Sequence, residues 1–198
     1  MAYLGVVTVI ACLLCHATSL HIQDCMKNGR SDVNNIVHVN SATVTPFPVV
    51  VPGNVDVAGN LDVLKNITGP LQMHLSVQRK FLGLWVTVPC VSNVGSCTYD
   101  DVCSMLSSSF SLNGAPNCPA QLSNEGLPCN CPFAEGRYTM NQEHFKIPEM
   151  SGVWSWLASG DYKVKAILTD KARSTDVACQ SAELSVGAPC NFFSCLFG

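Results

Sequence analysis

The chain has 198 residues, 47% of them hydrophobic and 13% charged, and 11 Lys and Arg against 14 Asp and Glu give a formal net charge of −3 at pH 7. That length predicts one domain with room for a core and a cavity. The charge balance, with no basic stripe, excludes a nucleic-acid partner.

Residues 1–19, MAYLGVVTVIACLLCHATS, carry no charged side chain, an apolar run from Leu4 to Cys15, and small residues at Ala17 and Ser19. They predict a secretory signal peptide, cut between Ala17 and Ser19, because the run falls short of the ~20 residues of a membrane span. Cleavage removes Cys12 and Cys15 and leaves ten cysteines, an even count that in an oxidising compartment reads as disulfides. No histidine stands at finger-like spacing from them, so no metal is expected, and no cofactor is assigned. Protonation of His21, His38, His74 and His144 in an acidic organelle would carry the charge from −3 to about +1, a weak pull toward anionic lipid. Scattered surface histidines account for the same residues.

Beyond the leader the sequence alternates. Val37 to Val39, Val55 to Val57 and Leu61 to Val63 are weak strand candidates. Leu71, Met73, Leu75 and Val77 alternate with Gln72, His74, Ser76 and Gln78, and Leu84, Val86 and Val88 with Trp85 and Thr87. Tyr138 to Met140 is weak again, whereas Tyr162, Val164, Ala166 and Leu168, then Ala182, Leu184 and Val186, repeat the strong pattern. Period two marks strands with one buried face, and Pro52-Gly53, Gly69-Pro70 and Ser159-Gly160 separate them. The expected class is all-β, a sandwich or cup. Asn66-Ile67-Thr68 is an N-glycosylation sequon, which places that loop at the surface.

Six cysteines fall between Cys90 and Cys131. Cys129 and Cys131, one residue apart, are too close to pair with each other, so each is expected to reach back to a different earlier cysteine. Within this stapled lobe Thr98 followed by Asp101 resembles a helix start, and Val102, Leu106 and Phe110 recur on one helical face. One short helix is expected there, ending before Asn113-Gly114.

The sequence holds no G-x-S-x-G elbow, H-E-x-x-H pair or phosphate-binding glycine loop, and no catalytic residue is assigned. Apolar turns stand out instead. Met150 to Leu157 carries Val153, Trp154, Trp156 and Leu157 between Pro148 and Ser159-Gly160. Such a loop either plugs a core or serves as a membrane-touching element or lid. The tail at 187–198 places three phenylalanines and a leucine around a Cys190–Cys195 loop, and reads as an apolar extension.

PFPVVVPGNV (46–55), GLWVTVPC (83–90), GSCTYDDVC (95–103), GLPCNCPFAEGRY (126–138) and SWLASGDY (155–162) together resemble the ganglioside-activator branch of the ML-domain lipid-recognition superfamily. The resemblance covers Cys25 to Val186, so 25–186 is read as the lipid-binding domain. It implies a β-cup, two antiparallel sheets opened around an apolar cavity, and the pairs Cys25–Cys179, Cys90–Cys97, Cys103–Cys131 and Cys118–Cys129. It also implies mobile apolar loops at the mouth that include Val153 to Leu157, and a cup that lifts a glycolipid or phospholipid from a membrane and presents its headgroup to a lysosomal hexosaminidase. The protein would then be a non-catalytic activator, secreted or lysosomal. The family's sugar site commonly follows PGN, whereas Asn54-Val55-Asp56 is no sequon and Asn66 takes its place; with the tail, this marks a divergent member.

A cup answers a physical demand. Taking a sixteen-carbon chain out of a bilayer costs about 12 kcal/mol at ~0.8 kcal/mol per methylene, which only a deep apolar cavity offsets. Leu71, Met73, Leu75, Leu84, Val86 and Val88 are the predicted lining if the sheets splay apart. In a closed sandwich the same residues are core. Two other functions fit the fold: a secreted gland or signalling protein binding a small apolar cue or a receptor, and a weak lipid hydrolase for which no residue can be named.

Overall fold

The computed structural model describes residues 20–112, 115–149 and 159–187. The strongest alternation becomes β5 (Leu71–Phe81), which pairs antiparallel with β11 (Gly160–Asp170). That strand pairs in turn with β12 (Thr175–Gly187), and β12 with β1 (His21–Asp24). With β6 (Leu84–Thr87) on the far side of β5, the first sheet runs β1-β12-β11-β5-β6. Two short strands join it: β3 (Val49–Val50), parallel to β12, and β7 (Thr98–Tyr99), against β5. The second sheet is β10-β4-β2, from Gly136–Ile147, Gly53–Val63 and Val37–Thr45, antiparallel throughout. A ribbon of β8 (Ser111–Leu112) and β9 (Ala115–Pro116) completes the β structure among the described residues.

The class is thus the expected one: mostly β, in two antiparallel sheets that remain open. The weak candidates at Val55 to Val57 and Leu61 to Val63 belong to one strand, because Gly59 continues the alternation without a side chain to reveal it. β10 runs well past Met140, through a bulge that shifts the phase of its pattern.

Cross-strand partners share a face of the sheet, so the register identifies the inner wall of the second sheet. Val63 pairs with Val37, Leu61 with Val39, Gly59 with Ala42 and Val57 with Val44. On the other side Leu61 pairs with Tyr138, Gly59 with Met140, Val57 with Glu143 and Val55 with Phe145.

At one end the sheets close on each other over Ile36, Val63, Ile67, Leu71, Val102 and Val177. Buried Asn35 secures this end, its Nδ2 donating to Asp24 Oδ2 at 2.5 Å and to the Gly29 carbonyl at 3.0 Å. The Cys25–Cys179 disulfide fastens β1 to β12 beside it.

The helix of the lobe, α1 (Val102–Ser109), is capped by Asp101, whose carboxylate accepts from the Ser104 amide at 3.0 Å. Thr98, read in the sequence as part of the cap, lies in β7. The side chain that caps is the one adjoining the first helical residue. A single turn, α2 (Ala120–Ser123), follows. The lobe is joined by Cys90–Cys97, Cys103–Cys131 and Cys118–Cys129, so Cys129 and Cys131 do reach different partners.

Candidate ligand-binding cavity

Above the closed end the inner wall of the second sheet is built of small side chains. Val39, Ala42 and Val57 do not span the gap to the facing sheet, and Gly59 contributes no side chain at all. A Cβ on Gly59 would meet the Ser41 carbonyl at 2.6 Å, so β2 and β4 approach closely there and only glycine fits. The unfilled space is a cavity of about 520 Å³, within the ~300–1,000 Å³ usual for small-molecule sites. Leu61, Tyr138 and Met140 continue its wall, Ile22 and Leu168 face it from the first sheet, and Leu122, Leu127, Pro128 and Phe133 of the lobe enclose one side. The lining is almost wholly apolar. By contrast, a groove of about 370 Å³ on the outer face of the first sheet is lined by the polar and charged side chains of His21, Gln23, Ser76, Gln78, Lys163 and Lys165, which suit a hydrocarbon poorly.

The sequence placed the lining on β5 and β6; the structure places it mainly on β2, β4 and β10. Leu71 is 1% exposed and packs in the closed-end cluster, with Met73 against it. Leu75 is half-buried on the inner face of β5. Val88 is buried, and Val86 and Val88 border a separate recess of about 340 Å³ with Arg79 and Phe81. Leu84 is exposed. The reason is volume: large side chains in strong alternation fill space, whereas a hollow needs the small ones that make alternation weak. Val153, Trp154, Trp156, Leu157 and the Cys190–Cys195 tail lie outside the described residues.

At the end of the first sheet away from the closed cluster, β5 turns into β6 through Leu82 and Gly83, with Phe81 opposite Leu84. Both turn residues have positive φ, 48° and 83°, as a two-residue hairpin turn requires. A leucine is an unfavourable choice for that conformation, and this one is 88% exposed. Phe81, Leu84 and Val86 are exposed beside it, so the hairpin presents a contiguous apolar tip.

A family profile for the ML domain matches residues 19–186. The chain belongs to the ML-domain family. Its curated relatives include the ganglioside GM2 activator of Mus musculus, 36% identical over 131 residues covering 66% of each chain. That of Macaca fascicularis is 37% identical over 135 residues, 68% of this chain and 70% of the relative. Among solved structures, the ML domain is similar to a Niemann-Pick type C2 protein from Japanese carpenter ant (TM-score 0.41, 7% identity, 84% of this chain and 99% of that one). It is also similar to chicken MD-1 complexed with lipid IVa (TM-score 0.38, 9% identity, 84% and 88%).

The outer face of this ML domain's second sheet carries paired charges. Asp62 accepts from Arg137 at 2.7 and 3.2 Å and from Asn40 at 2.9 Å, and these bonds, Arg137's foremost, hold its carboxyl down from 3.8 to about 2. A depressed carboxylate lends stability above its ordinary range and loses it as pH falls through the folded value, so this pair persists at acidities that protonate an ordinary aspartate. Asp56 is lowered by hydrogen bonds from His144 and then Gln142. In the loop between β4 and β5, exposed Asn66 accepts from the Glu135 amide at 2.7 Å through Oδ1, which leaves Nδ2, the atom a glycan would use, without a partner among the described residues.

Proposed function

We propose that this ML domain is a non-catalytic lipid-binding and transfer protein of the secretory pathway, secreted or lysosomal. It takes the hydrocarbon of a glycolipid or phospholipid out of a membrane into the cup and presents the headgroup to a glycosidase of the hexosaminidase kind. The observation that carries this reading is the apolar cavity between open sheets, which replaces the hydrocarbon environment a chain gives up on leaving the bilayer. The relationship to ganglioside GM2 activators supports the choice of lipid and enzyme partner.

The exposed tip at Phe81, Leu82 and Leu84 supports transient membrane contact, together with Val153, Trp154, Trp156 and Leu157. Leu75, half-buried on the inner face of β5, and the exposed Val86 are proposed to meet the parts of the ligand that extend beyond the main cavity, with Leu71, Met73 and Val88 as the packing behind them. Replacing Leu82 separates the tip's two roles. Leu82→Asn suits the positive φ, and is expected to stabilise the fold by about 0.5–1 kcal/mol while weakening vesicle binding severalfold. Vesicle flotation beside urea denaturation reads both, and unchanged flotation would remove the tip from the mechanism.

Native mass spectrometry of the protein from a secretory host tests the whole reading. One acyl lipid per protein is expected, with a glycan mass that disappears in Asn66→Gln. A lipid-free protein that takes up nothing from labelled vesicles would sink the transfer function.

A further inference from the structure

Among the described residues, Glu143 is the one charged side chain that the register places on the inner face of the second sheet, beside the cavity-lining Val57 and Met140. Met140 pairs with Gly59 and Glu143 with Val57, so three steps along β10 oppose two along β4, and one residue is extra. Such a bulge re-aims the side chains that follow it, and here it leaves both Met140 and Glu143 on the inner face. The residues flanking Glu143 are fixed outward: Gln142 Nε2 donates to Asp56 Oδ2 at 3.0 Å, and His144 Nδ1 lies 2.7 Å from Asp56 Oδ1. With both neighbours clamped to one carboxylate on the outer face, Glu143 has only the interior to face.

Its surroundings there are Val57 across the strand pair, Val44 beyond it, and Met140 and Phe145 along β10. Val57 and Met140 line the cavity. Glu143 is half-buried and makes no hydrogen bond or ion pair among the described residues. Arg79, on the inner face of the opposite sheet, directs its guanidinium to the Ser159 carbonyl at 2.8 and 3.2 Å.

From this placement we infer that Glu143 determines ligand specificity, selecting amphiphiles with a cationic or hydrogen-bond-donating group directly at the head of the hydrocarbon chain, of which a long-chain amine is the simplest. The inference rests on the cup taking an apolar chain. In the empty cup water solvates the carboxylate. An entering chain expels that water, and a carboxylate left dry and unpaired opposes binding. Glutamate in its ionised form only accepts, so a neutral chain terminus without donors leaves it stranded and a ligand carboxylate repels it. An ammonium supplies a charge-assisted bond. Depth sharpens the requirement. Glu143 precedes Ile147, the end of β10, by four residues, roughly 13 Å along the strand. A charge at the tip of a long headgroup would stay outside; one at the chain itself reaches Glu143.

Hexadecylamine, hexadecanol and hexadecanoate, matched in chain length and titrated calorimetrically into the intact disulfide-bonded protein at pH 7, test this. The expected order is amine, alcohol, carboxylate, with the amine ahead of the alcohol by about tenfold or more. Glu143→Gln, nearly isosteric, should fold with an unchanged melting temperature and shrink that preference to under about threefold. Glu143→Leu, which removes the repulsion between carboxylates, should bind hexadecanoate more tightly than the parent does. Equal affinities for amine and alcohol, or a preference that survives in Glu143→Gln, overturn the role of Glu143 while leaving the cup intact. Failure of all three ligands to bind would overturn the cup and this inference together.

Discussion

Ala42→Trp is expected to cut lipid transfer between vesicles at least tenfold while leaving the melting temperature unchanged or higher. Ala42 lies on the inner wall opposite Gly59, and both line the cavity of about 520 Å³. An indole introduced there enters empty space, so it gains apolar contacts without the overpacking that penalises enlargement of a filled core. Filling a void commonly stabilises by ~0.5–2 kcal/mol. Function should move the other way, because the ring occupies volume the hydrocarbon would take, and each methylene excluded forfeits ~0.8 kcal/mol of burial. Two lost methylenes already amount to about tenfold in affinity. Val33→Trp, at an exposed position away from the cavity, is the control for a surface indole. Transfer that persists in a folded Ala42→Trp protein would show that the ligand sits elsewhere, with the recess beside Val86 and Val88 the next place to look.

The contrast between β5 and β4 shows what the sequence makes legible. β5 is plain to read, because Leu71, Met73, Leu75 and Val77 are large, apolar and regularly spaced. The same size that makes the pattern visible lets Leu71 and Met73 pack solidly at the closed end. On β4 the alternation passes through Gly59, and on β2 through Ala42, where little side chain exists to register. The architecture was therefore legible and the hollow was not: a cavity is written in the residues that fail to fill it. Glu143 was hidden for a different reason. Counting by twos from Tyr138 and Met140 puts Gln142 and His144 on the inner face and Glu143 outside. A single inserted residue reverses that assignment, and a bulge has no sure signature in composition. The separation of Cys129 from Cys131 was legible because one intervening residue is too short a span whatever the fold, while the individual pairings needed the family resemblance.

A hollow interior bears directly on stability, and the largest loss is expected from removing Cys25–Cys179. Its two cysteines are 154 residues apart in sequence, against 7 for Cys90–Cys97. In the chain-entropy account these loops correspond to about 5 and about 2 kcal/mol of denatured-state restriction. The first bond also joins β1 to β12 where Cys25 N donates to the Cys179 carbonyl at 3.0 Å and Cys179 is buried. An ordinary domain holds only ~5–15 kcal/mol in all, and a cup whose centre is empty lacks the contacts that a closed sandwich of equal length would make across it. Cys25→Ala/Cys179→Ala is therefore expected to be largely unfolded at 37 °C, and Cys90→Ala/Cys97→Ala to remain folded with a modestly lower urea midpoint. Equal losses from the two double variants would mean that strain or residual denatured structure, rather than loop length, sets the contribution of each bond. The expected order would mean that long-range crosslinks carry the stability that an open cavity, kept empty for a ligand, cannot supply by packing.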